Sequence, residues 1–347
     1  MTFESRIKER ARELGFDLVG VVRATEADGF DRLQDWLAQG YAGEMQYMYR
    51  HAEARRHPAS VLPEVRSIIM VAMNYRPHAS TADGNDSSGR IAAYALGKDY
   101  HDVLRTRLKA LLGWMQQEHP GCRGRAVVDT APLLERDFAR RAGLGWIGKN
   151  TMLINKRLGS FLFLGALLVD IDLQPDLPFE PNHCGSCTAC LDACPTQAFV
   201  QPGVLDSRRC ISYLTIELRG SIDESLRSEI GDWLFGCDVC QEVCPWNRKA
   251  PAGRQPDLQP LPEIVALDVV ELLQMDEQEF RRRFGATALS RAGRRGLIRN
   301  AAIVLGNRRC VEAFAPLRRL ENDADPVIRE AAQWAISQIL SSQGKER

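Results

Sequence analysis

Cysteine spacing constrains this sequence more than any other feature. Of the ten cysteines in 347 residues, eight fall between positions 184 and 244. The first four have the spacing C-x2-C-x2-C-x3-C and precede Pro195; they are Cys184, Cys187, Cys190 and Cys194. In such a run, three closely spaced thiolates hold one face of a [4Fe–4S] cluster, and the cysteine before proline binds a different cluster. The spacing therefore predicts two clusters in this segment.

A second run supplies the remaining ligands, although one of its positions departs from the pattern. Cys237, Cys240 and Cys244 precede Pro245, but Leu234 stands where the first run has a cysteine. Cys210 lies between the runs and can replace the missing ligand. We therefore predict one cluster on Cys184, Cys187, Cys190 and Cys244, and another on Cys194, Cys210, Cys237 and Cys240. The two cysteines left over, Cys122 and Cys310, are most simply small buried residues.

Structural zinc is the alternative for these eight cysteines. Two four-cysteine zinc sites would use the same number of thiolates, but zinc sites usually combine paired C-x2-C units. Disulfides are rare in a reducing cytosol, where clustered cysteines more often bind metal. The spacing thus favours two [4Fe–4S] clusters, which carry single electrons, without indicating what is reduced.

The chain divides into three predicted domains. Residues 1–173 alternate helical patterns (2–14, 31–39, 102–118, 132–142) with strand patterns (17–22, 67–73, 125–128, 151–154, 161–170), which predicts an α/β domain. Residues 174–250 begin with a proline-rich linker and form a ferredoxin-like domain with two [4Fe–4S] clusters. Residues 251–347 are α-helical; the stretches 294–307 and 325–339 resemble a HEAT-like repeat, with an ordinary helical hairpin as the alternative.

Charge is unevenly distributed along the chain. The formal net charge is zero, with 45 basic and 45 acidic residues, yet residues 281–311 contain nine arginines and no acidic residue. Guanidinium groups suit phosphate backbones, whereas an ordinary solvated helix face interleaves acids. The segment is therefore predicted to bind a structured RNA, with these candidate contacts: Arg291, Arg294, Arg295, Arg299, Arg308 and Arg309.

Membrane association is not predicted. The longest apolar run, residues 161–169, is strand-sized, whereas a membrane-spanning helix needs about 20 apolar residues. The amino-terminal segment is a charged amphipathic helix pattern without the apolar stretch of a signal peptide. We therefore expect a cytoplasmic protein with no membrane partner.

The glycine-rich segment 143–150, GLGWIGKN, imitates a nucleotide-binding motif. Such motifs need a strand before the glycines and a helix after them, and here a helix pattern precedes and a strand pattern follows. The glycines instead indicate helix termination followed by a close-packed turn.

Two further residues are candidates for chemistry. Asp129 ends an apolar strand pattern, where it could act as an acid with a pKa raised by partial burial or could cap the next helix. His101 lies in a D-x-H pattern like that of some cobalt-ligating histidines, but Leu104 replaces the glycine that should follow. A structural role is therefore favoured for His101.

Four segments together resemble one family, the tRNA epoxyqueuosine reductases, which are cobalamin-dependent iron–sulfur enzymes. They are VDTAPLLERDFARRAGLGWIGKNTMLI, HCGSCTACLDACPTQAF, CISYLTIE and FGCDVCQEVCPWN, and the resemblance covers nearly the whole chain. It implies reduction of epoxyqueuosine to queuosine at the tRNA wobble position, with Asp129 as proton donor and the epoxide oxygen lost as water.

The resemblance also implies a cofactor and partners. The first domain would bind cobalamin base-off, without a protein axial ligand, through Arg55, Asp129, Gly148, Lys149, Asn150, Ser212 and Asp238. The partners would be the anticodon stem-loop of tRNA and an external electron donor such as flavodoxin or ferredoxin, and the protein would be a monomer. The alternative is a reductive dehalogenase-like oxidoreductase that acts on a small molecule.

Overall fold

The computed structural model describes residues 1–78 and 87–343. The strands of these residues are β1 (Leu18–Arg23), β2 (Ser67–Asn74), β3 (Arg90–Ile91), β4 (Gly124–Val127), β5 (Trp146–Ile147), β6 (Leu153–Ile154), β7 (Leu162–Val169), β8 (Phe199–Gln201), β9 (Val204–Leu205) and β10 (Trp233–Phe235).

Helices occupy most of the remaining chain. They are α1 (Phe3–Glu13), α2 (Phe30–Ala38), α3 (Gln46–Arg50), α4 (Tyr100–Glu118), α5 (Glu135–Arg141), α6 (Ala189–Asp192), α7 (Ile211–Ile216), α8 (Glu224–Arg227), α9 (Val239–Glu242), α10 (Pro262–Val265), α11 (Val269–Leu272), α12 (Glu277–Phe284), α13 (Gly293–Asn307), α14 (Phe314–Leu320) and α15 (Pro326–Gln343). Within the described ranges, no helix has the length and apolar composition needed to cross a membrane.

The main sheet has the order β1-β2-β7-β4, and helices cover both of its faces. Alternate residues of β2 explain this arrangement, since successive side chains of a strand point to opposite faces. Ile69 packs in one apolar cluster with Leu104 and Leu108 of α4, whereas Ile68 packs in another with Phe138 of α5. Every residue of β2 is buried as a result.

The strand directions differ from the predicted α/β class. Helices do pack on a sheet, but all three neighbouring strand pairs of this sheet are antiparallel, so the domain is better described as α+β. Alternating helix and strand patterns are typical of folds with parallel strands. The patterns alone do not fix the direction in which each strand runs. The predicted strand at 151–154 is the short β6, which pairs with β5 in a separate hairpin.

The cysteine-rich segment is tied to the chain on both sides of it. Its strand β10 pairs in parallel with β3, and its short helices α6 and α9 pack against each other. The long helix α13 packs against α15 and also against β10. One continuous apolar cluster includes Ile7, Phe235 and Ala301, so all three segments share a core. The HEAT-like interpretation of α13 and α15 stays a prediction.

Candidate active site and cluster-binding loops

A cavity of about 1200 Å³ lies where the first domain meets the cysteine-rich segment. Its lining includes Asp129 on one side and four cysteines on the other, namely Cys194, Cys210, Cys237 and Cys240. These four are the predicted ligands of one cluster, and we call them the second cysteine set. The cavity thus brings a carboxylate and a predicted electron-transfer centre to one space.

Asp129 follows β4 and has a left-handed backbone with φ of 57°. Aspartate tolerates this conformation better than most residues. The backbone N–H of Asp129 donates to Oε1 of Glu135 at 2.8 Å, which holds the turn in place. Helix α5 begins only at Glu135 and has no side-chain cap. The helix-cap interpretation of Asp129 is therefore wrong, and its carboxylate is left to face the cavity.

The first turn of α4 presents two side chains to that carboxylate. Asp99 caps α4 by accepting from the His101 backbone at 2.9 Å, which places Tyr100 and His101 in the first turn. The Tyr100 hydroxyl donates to Asp129 Oδ2 at 2.9 Å, and His101 Nε2 lies 3.4 Å from the same oxygen. His101 Nδ1 lies 3.0 Å from Asp99 Oδ1, so the imidazole sits between two carboxylates.

Arg291 joins this group from the carboxy-terminal region. Its guanidinium forms an ion pair with Asp99 at 3.0 Å and lies over the Tyr100 ring, 5.0 Å from the ring centroid. The residue was predicted to bind RNA, but in this structure its charge is directed to Asp99. It therefore supports the carboxylate that in turn holds His101.

The predicted rise in the pKa of Asp129 is wrong. Contact with His101 lowers the pKa of Asp129, against a smaller opposing effect of burial, and the side chain is 60% exposed to the cavity. Although burial opposes it, contact with Asp129 and Asp99 raises the pKa of His101 to about 8. Near neutral pH, the proton of this pair is therefore held mainly on His101.

Glu135 is a third titratable group at the same place. Burial and then the charge of Asp129 raise the pKa of Glu135 to about 8. No sequence pattern singles out Glu135 or Tyr100, although both lie within segments that carry other predictions. Tyr100 contacts Asp129 only because the turn after β4 lies against the start of α4. No local sequence pattern indicates that contact.

The glycine segment forms the β5–β6 hairpin, with α5 before it, as the order of patterns predicted. A Cβ atom on Gly145 would lie 2.1 Å from the carbonyl oxygen of Ile154, so the hairpin needs glycine there. Asn150 is buried and lines the cavity, and its Nδ2 donates to the carbonyl of Cys240 at 3.1 Å. It therefore supports the loop that carries the second cysteine set.

The prediction that Gly148 and Lys149 contact cobalamin is not supported. Neither residue lines the cavity. The space above Gly148 is filled by Ile154 of the same hairpin. The Lys149 ammonium donates to the carbonyls of Gly185 and Cys187 at 2.7 and 2.9 Å, so it holds the other cysteine loop.

The remaining predicted cofactor contacts do line the cavity; they are Arg55, Ser212 and Asp238. Asp238 accepts hydrogen bonds from the Ala93 backbone at 2.6 Å and from Gln241 at 3.1 Å. Burial raises its pKa to about 6. Because both its oxygens are engaged by protein, Asp238 shapes the wall and positions the neighbouring cysteines.

The eight cysteines sort into two groups by their neighbours. Burial raises the pKa of Cys190, as do the nearby thiols of Cys244, Cys184 and Cys187. We call these four the first cysteine set. Burial likewise raises the pKa of Cys237, whose thiol neighbours are Cys210 and Cys194. The fold therefore brings together the groups that the spacing predicts.

Cys210 reaches its group from outside the two runs, at the start of α7. Leu234, at the position where a ligand is missing, is instead a fully buried residue of β10. Among the described residues, no three His, Cys, Asp or Glu side chains are arranged to hold a single metal ion. Cys122 and Cys310 are both buried, as predicted.

The arginine-rich segment is more paired than its sequence indicates. Arg299 is only 1% exposed, and its guanidinium donates to the carbonyls of Leu214, Leu218 and Gly220. The prediction that Arg299 contacts RNA is therefore wrong, because its donors stabilise the packing of α13 against the turn after α7.

Acids from other parts of the chain meet several of the remaining arginines. Arg295 pairs with Asp325 at 2.7 Å and Arg308 with Asp232 at 3.1 Å. The stretch that lacks acids in the sequence is thus partly neutralised in the fold. Arg295 and Arg309 are exposed, and Arg294 is half-buried.

Comparison with known proteins identifies the class of this chain. A family described as "4Fe-4S double cluster binding domain" matches residues 183–247, and one described as "Epoxyqueuosine reductase QueG, DUF1730" matches residues 55–130. Together with the cysteine loops beside the cavity, the first match defines an iron–sulfur oxidoreductase with two [4Fe–4S] clusters.

Full-length relatives define the family more closely. The epoxyqueuosine reductase of Escherichia coli (strain K12) is 42% identical over 96% of this chain and 89% of its own length. That of Pseudomonas aeruginosa is 43% identical over 95% of this chain and 92% of its own length. The chain belongs to the epoxyqueuosine reductases.

Solved structures agree with this assignment. A crystal structure of an epoxyqueuosine reductase with an epoxyqueuosine-modified stem loop of tRNA-Tyr has a TM-score of 0.90 and 36% identity, covering 97% of this chain and 90% of that one. The enzyme from Streptococcus thermophilus has a TM-score of 0.89 and 30% identity, covering 98% and 91%.

Proposed function

We propose that this protein reduces epoxyqueuosine to queuosine at the wobble position of tRNA. The observation that carries the proposal is identity of about 42% to epoxyqueuosine reductases along almost the whole chain. The cavity adds a physical reason, since it opens onto both a carboxylate and the second cysteine set. The identity favours a tRNA substrate over the alternative of a small molecule.

The first and second cysteine sets would each ligate one [4Fe–4S] cluster. An external donor such as flavodoxin or ferredoxin would reduce the first cluster, because residues 185–188 of its loop are exposed. The second set lines the cavity, so its cluster would deliver electrons to the reaction. A monomer would be sufficient for this scheme, because one chain carries both cysteine sets and the cavity. We place the protein in the cytoplasm, where its tRNA substrate is found.

Cobalamin is the cofactor that we propose for the cavity. A volume of about 1200 Å³ exceeds the roughly 300–1000 Å³ of an ordinary ligand pocket. Arg55, Asn150 and Ser212 would hold the cofactor, and Asp238 would shape the wall beside it. His101 is engaged with two carboxylates and would not serve as a ligand to the cofactor. When bound, cobalamin would supply the two-electron chemistry at the epoxide.

The side chains of the protein would supply a proton to the epoxide oxygen. Removal of the epoxide oxygen as water consumes two electrons and two protons and leaves a carbon–carbon double bond in the ring. An epoxide oxygen leaves poorly until it is protonated, so an acid within hydrogen-bond reach is required. We propose that Asp129 delivers the first of the two protons at its carboxylate and that His101 supplies it, because His101 holds the proton of the pair near neutral pH. The second proton, which completes the water molecule, would come from solvent.

Turnover should therefore fall as pH rises through about 8. His101 is protonated below its raised pKa and loses its proton above it, so the decline lies on the alkaline side. Because the neighbouring groups interact, the profile reports an apparent value for the pair. The measurement is the pH dependence of single-turnover rates with prereduced protein.

Two variants identify the group whose loss of a proton causes the alkaline decline. His101→Asn should lower the rate and remove the alkaline limb, because asparagine does not titrate. Glu135→Gln is the matched control, since the pKa of Glu135 is also raised to about 8. Persistence of the limb in His101→Asn together with its loss in Glu135→Gln would assign the proton to Glu135.

For tRNA, we propose Arg294, Arg295, Arg308 and Arg309 as the contacts on this chain. Exposed guanidinium groups can pair with phosphate oxygens after exchanging a carboxylate partner. Arg291 is assigned to the support of Asp99. A salt-dependent binding titration of the modified stem-loop with Arg295→Ala/Arg309→Ala protein tests these contacts; unchanged affinity and salt slope would exclude the two exposed arginines.

The function itself is tested in cells. Deletion of the gene should cause epoxyqueuosine to accumulate in tRNA, with loss of queuosine, as measured by mass analysis of tRNA nucleosides. Complementation with the intact chain should restore queuosine. Unchanged queuosine in the deletion strain would contradict the proposed function.

A further inference from the structure

An aromatic cluster lies beside the first cysteine set. Trp146 is stacked on Phe179, with ring centroids 5.7 Å apart, and meets Trp246 edge-on at 5.1 Å. Trp146 and Trp246 pack in one apolar cluster with Cys184 and Cys244, which both belong to the first cysteine set. The indole of Trp146 is thus part of the immediate surroundings of these thiols.

The indole nitrogen of Trp146 has no acceptor among the residues that the structure describes. The residue is 2% exposed, and its Nε1 is buried without a hydrogen-bond partner within residues 1–78 and 87–343. Buried polar groups of native proteins are almost always paired, because leaving one unpaired is unfavourable. His183 Nε2 is a second buried atom without a partner in the same aromatic cluster.

Trp246 provides an internal comparison. Its Nε1 donates to the carbonyl oxygen of His183 at 3.4 Å, so its donor is already used. Two tryptophans therefore pack against the same thiols, one with a free donor and one with an engaged donor. Phe179 and Ile154, two further neighbours of Trp146, offer no side-chain acceptor. The His183 ring centroid lies 5.0 Å from that of Trp146, but no hydrogen bond joins the two side chains.

We propose that the Trp146 N–H donates a hydrogen bond to a sulfur atom of the first cluster and thereby raises its reduction potential. Both the bridging sulfides and the cysteine thiolates of a cluster accept hydrogen bonds, and such bonds tune its potential. Reduction adds one negative charge to the cluster, so a fixed donor stabilises the reduced form more than the oxidised form.

The hairpin explains why this donor is held in a fixed position. Trp146 is in β5 and pairs with Ile154 of β6, and the glycine at 145 allows the close approach of the two strands. The segment GLGWIGKN follows a helix and forms a hairpin, unlike a nucleotide-binding motif, and thereby acquires a role near the first cysteine set. Its tryptophan packs with Cys184 and Cys244 of the first cysteine set, and its lysine and asparagine support the two cysteine loops.

The potential of the first cluster matters because electrons reach it from outside the protein. A less negative potential lets the cluster accept an electron from a weaker donor. Trp146 would act through the cluster and would contact neither the substrate nor the cofactor in the cavity, so it is a positioning residue for electron uptake.

The test compares Trp146→Phe with Trp246→Phe in the holoprotein. Each substitution removes one indole N–H while keeping an aromatic ring. Potentiometric titration followed by electron paramagnetic resonance should show a lower midpoint potential for the first cluster in Trp146→Phe. A tenfold change in the reduced-to-oxidised ratio, about 59 mV for one electron, is the expected size. Trp246→Phe should shift it by less than a third of that amount, and the second cluster should not shift.

Two results would overturn the proposal. One is an unchanged midpoint potential of the first cluster in a Trp146→Phe preparation that contains both clusters. If that variant fails to bind its first cluster, the unmodified holoprotein with ¹⁵N-indole-labelled tryptophan decides the question. Electron–nuclear double resonance of the reduced first cluster should then detect a tryptophan ¹⁵N coupling, and its absence would refute the hydrogen bond.

Discussion

Asp129→Asn should lose turnover by about 100-fold to 10,000-fold while keeping both clusters and its affinity for the tRNA stem-loop. This range is the usual contribution of a positioned general acid. Asparagine has the same shape but cannot deliver a proton from its side-chain oxygen. It also tolerates a left-handed backbone, so the turn with φ of 57° should persist.

The measurement needs three readouts on the same preparation. Iron content reports the clusters, stem-loop titration reports tRNA binding, and single-turnover conversion of epoxyqueuosine reports the chemistry. Asp102→Asn is the matched control, because Asp102 lies on α4 near the site, its side chain is 82% exposed, and its partner is Arg105. That control should retain its rate.

Full activity of Asp129→Asn would contradict the role of Asp129 as proton donor. The next residue to consider would then be Glu135, whose pKa is raised to about 8 and whose Oε1 accepts from the Asp129 backbone. A moderate loss confined to the alkaline range would instead indicate that His101 delivers the proton directly. The pH profile of the same variant separates these two outcomes.

Which cysteines lie together could be predicted from the sequence, because cluster ligands obey short, rigid spacing rules. The loop geometry of C-x2-C-x2-C is fixed by the few residues between the thiols, and the fold adds little to it. Strands with continuous apolar runs, such as β2 and β7, were predictable for a similar reason, since their burial follows from local composition.

The features that the sequence could not predict depend on distant partners. Asp129 has a lowered pKa because α4 presents His101 to it, and no local pattern indicates that contact. Arg299 is buried because carbonyls after α7 accept from it, about 80 positions earlier in the chain. The sheet is antiparallel because of how the chain returns, which helix and strand patterns do not encode.

The same distinction applies to the basic segment. A run of arginines without acids predicts an open phosphate-binding surface. In the fold, however, these arginines form ion pairs with acids far away in the chain. Arg291 pairs with Asp99 and Arg308 with Asp232. Charge counted along a sequence therefore overestimates the positive charge that the folded surface offers to RNA.

Cys210→Ala should remove the second cluster and with it all turnover. Iron content should fall from about eight to about four per chain, because each cluster contains four irons. Cys210 is the predicted replacement for the ligand missing at Leu234, whose hydrocarbon side chain has no ligating atom and is buried in β10. No other thiol lies in the second cysteine set besides Cys194, Cys237 and Cys240 in the part of the chain that the structure describes.

Cys122→Ala is the matched control for that loss. Cys122 is also a free cysteine, but it is buried in the apolar core, and among the described residues its Sγ forms a hydrogen bond only with the carbonyl of Arg123, at 3.8 Å. It should therefore keep about eight irons and full turnover. Eight irons in Cys210→Ala would mean that another group completes the cluster, and loss of iron in Cys122→Ala would mean that iron content follows folding rather than ligation. If Cys210→Ala loses turnover while its first cluster can still be reduced, electrons reach the cavity only through the second cluster.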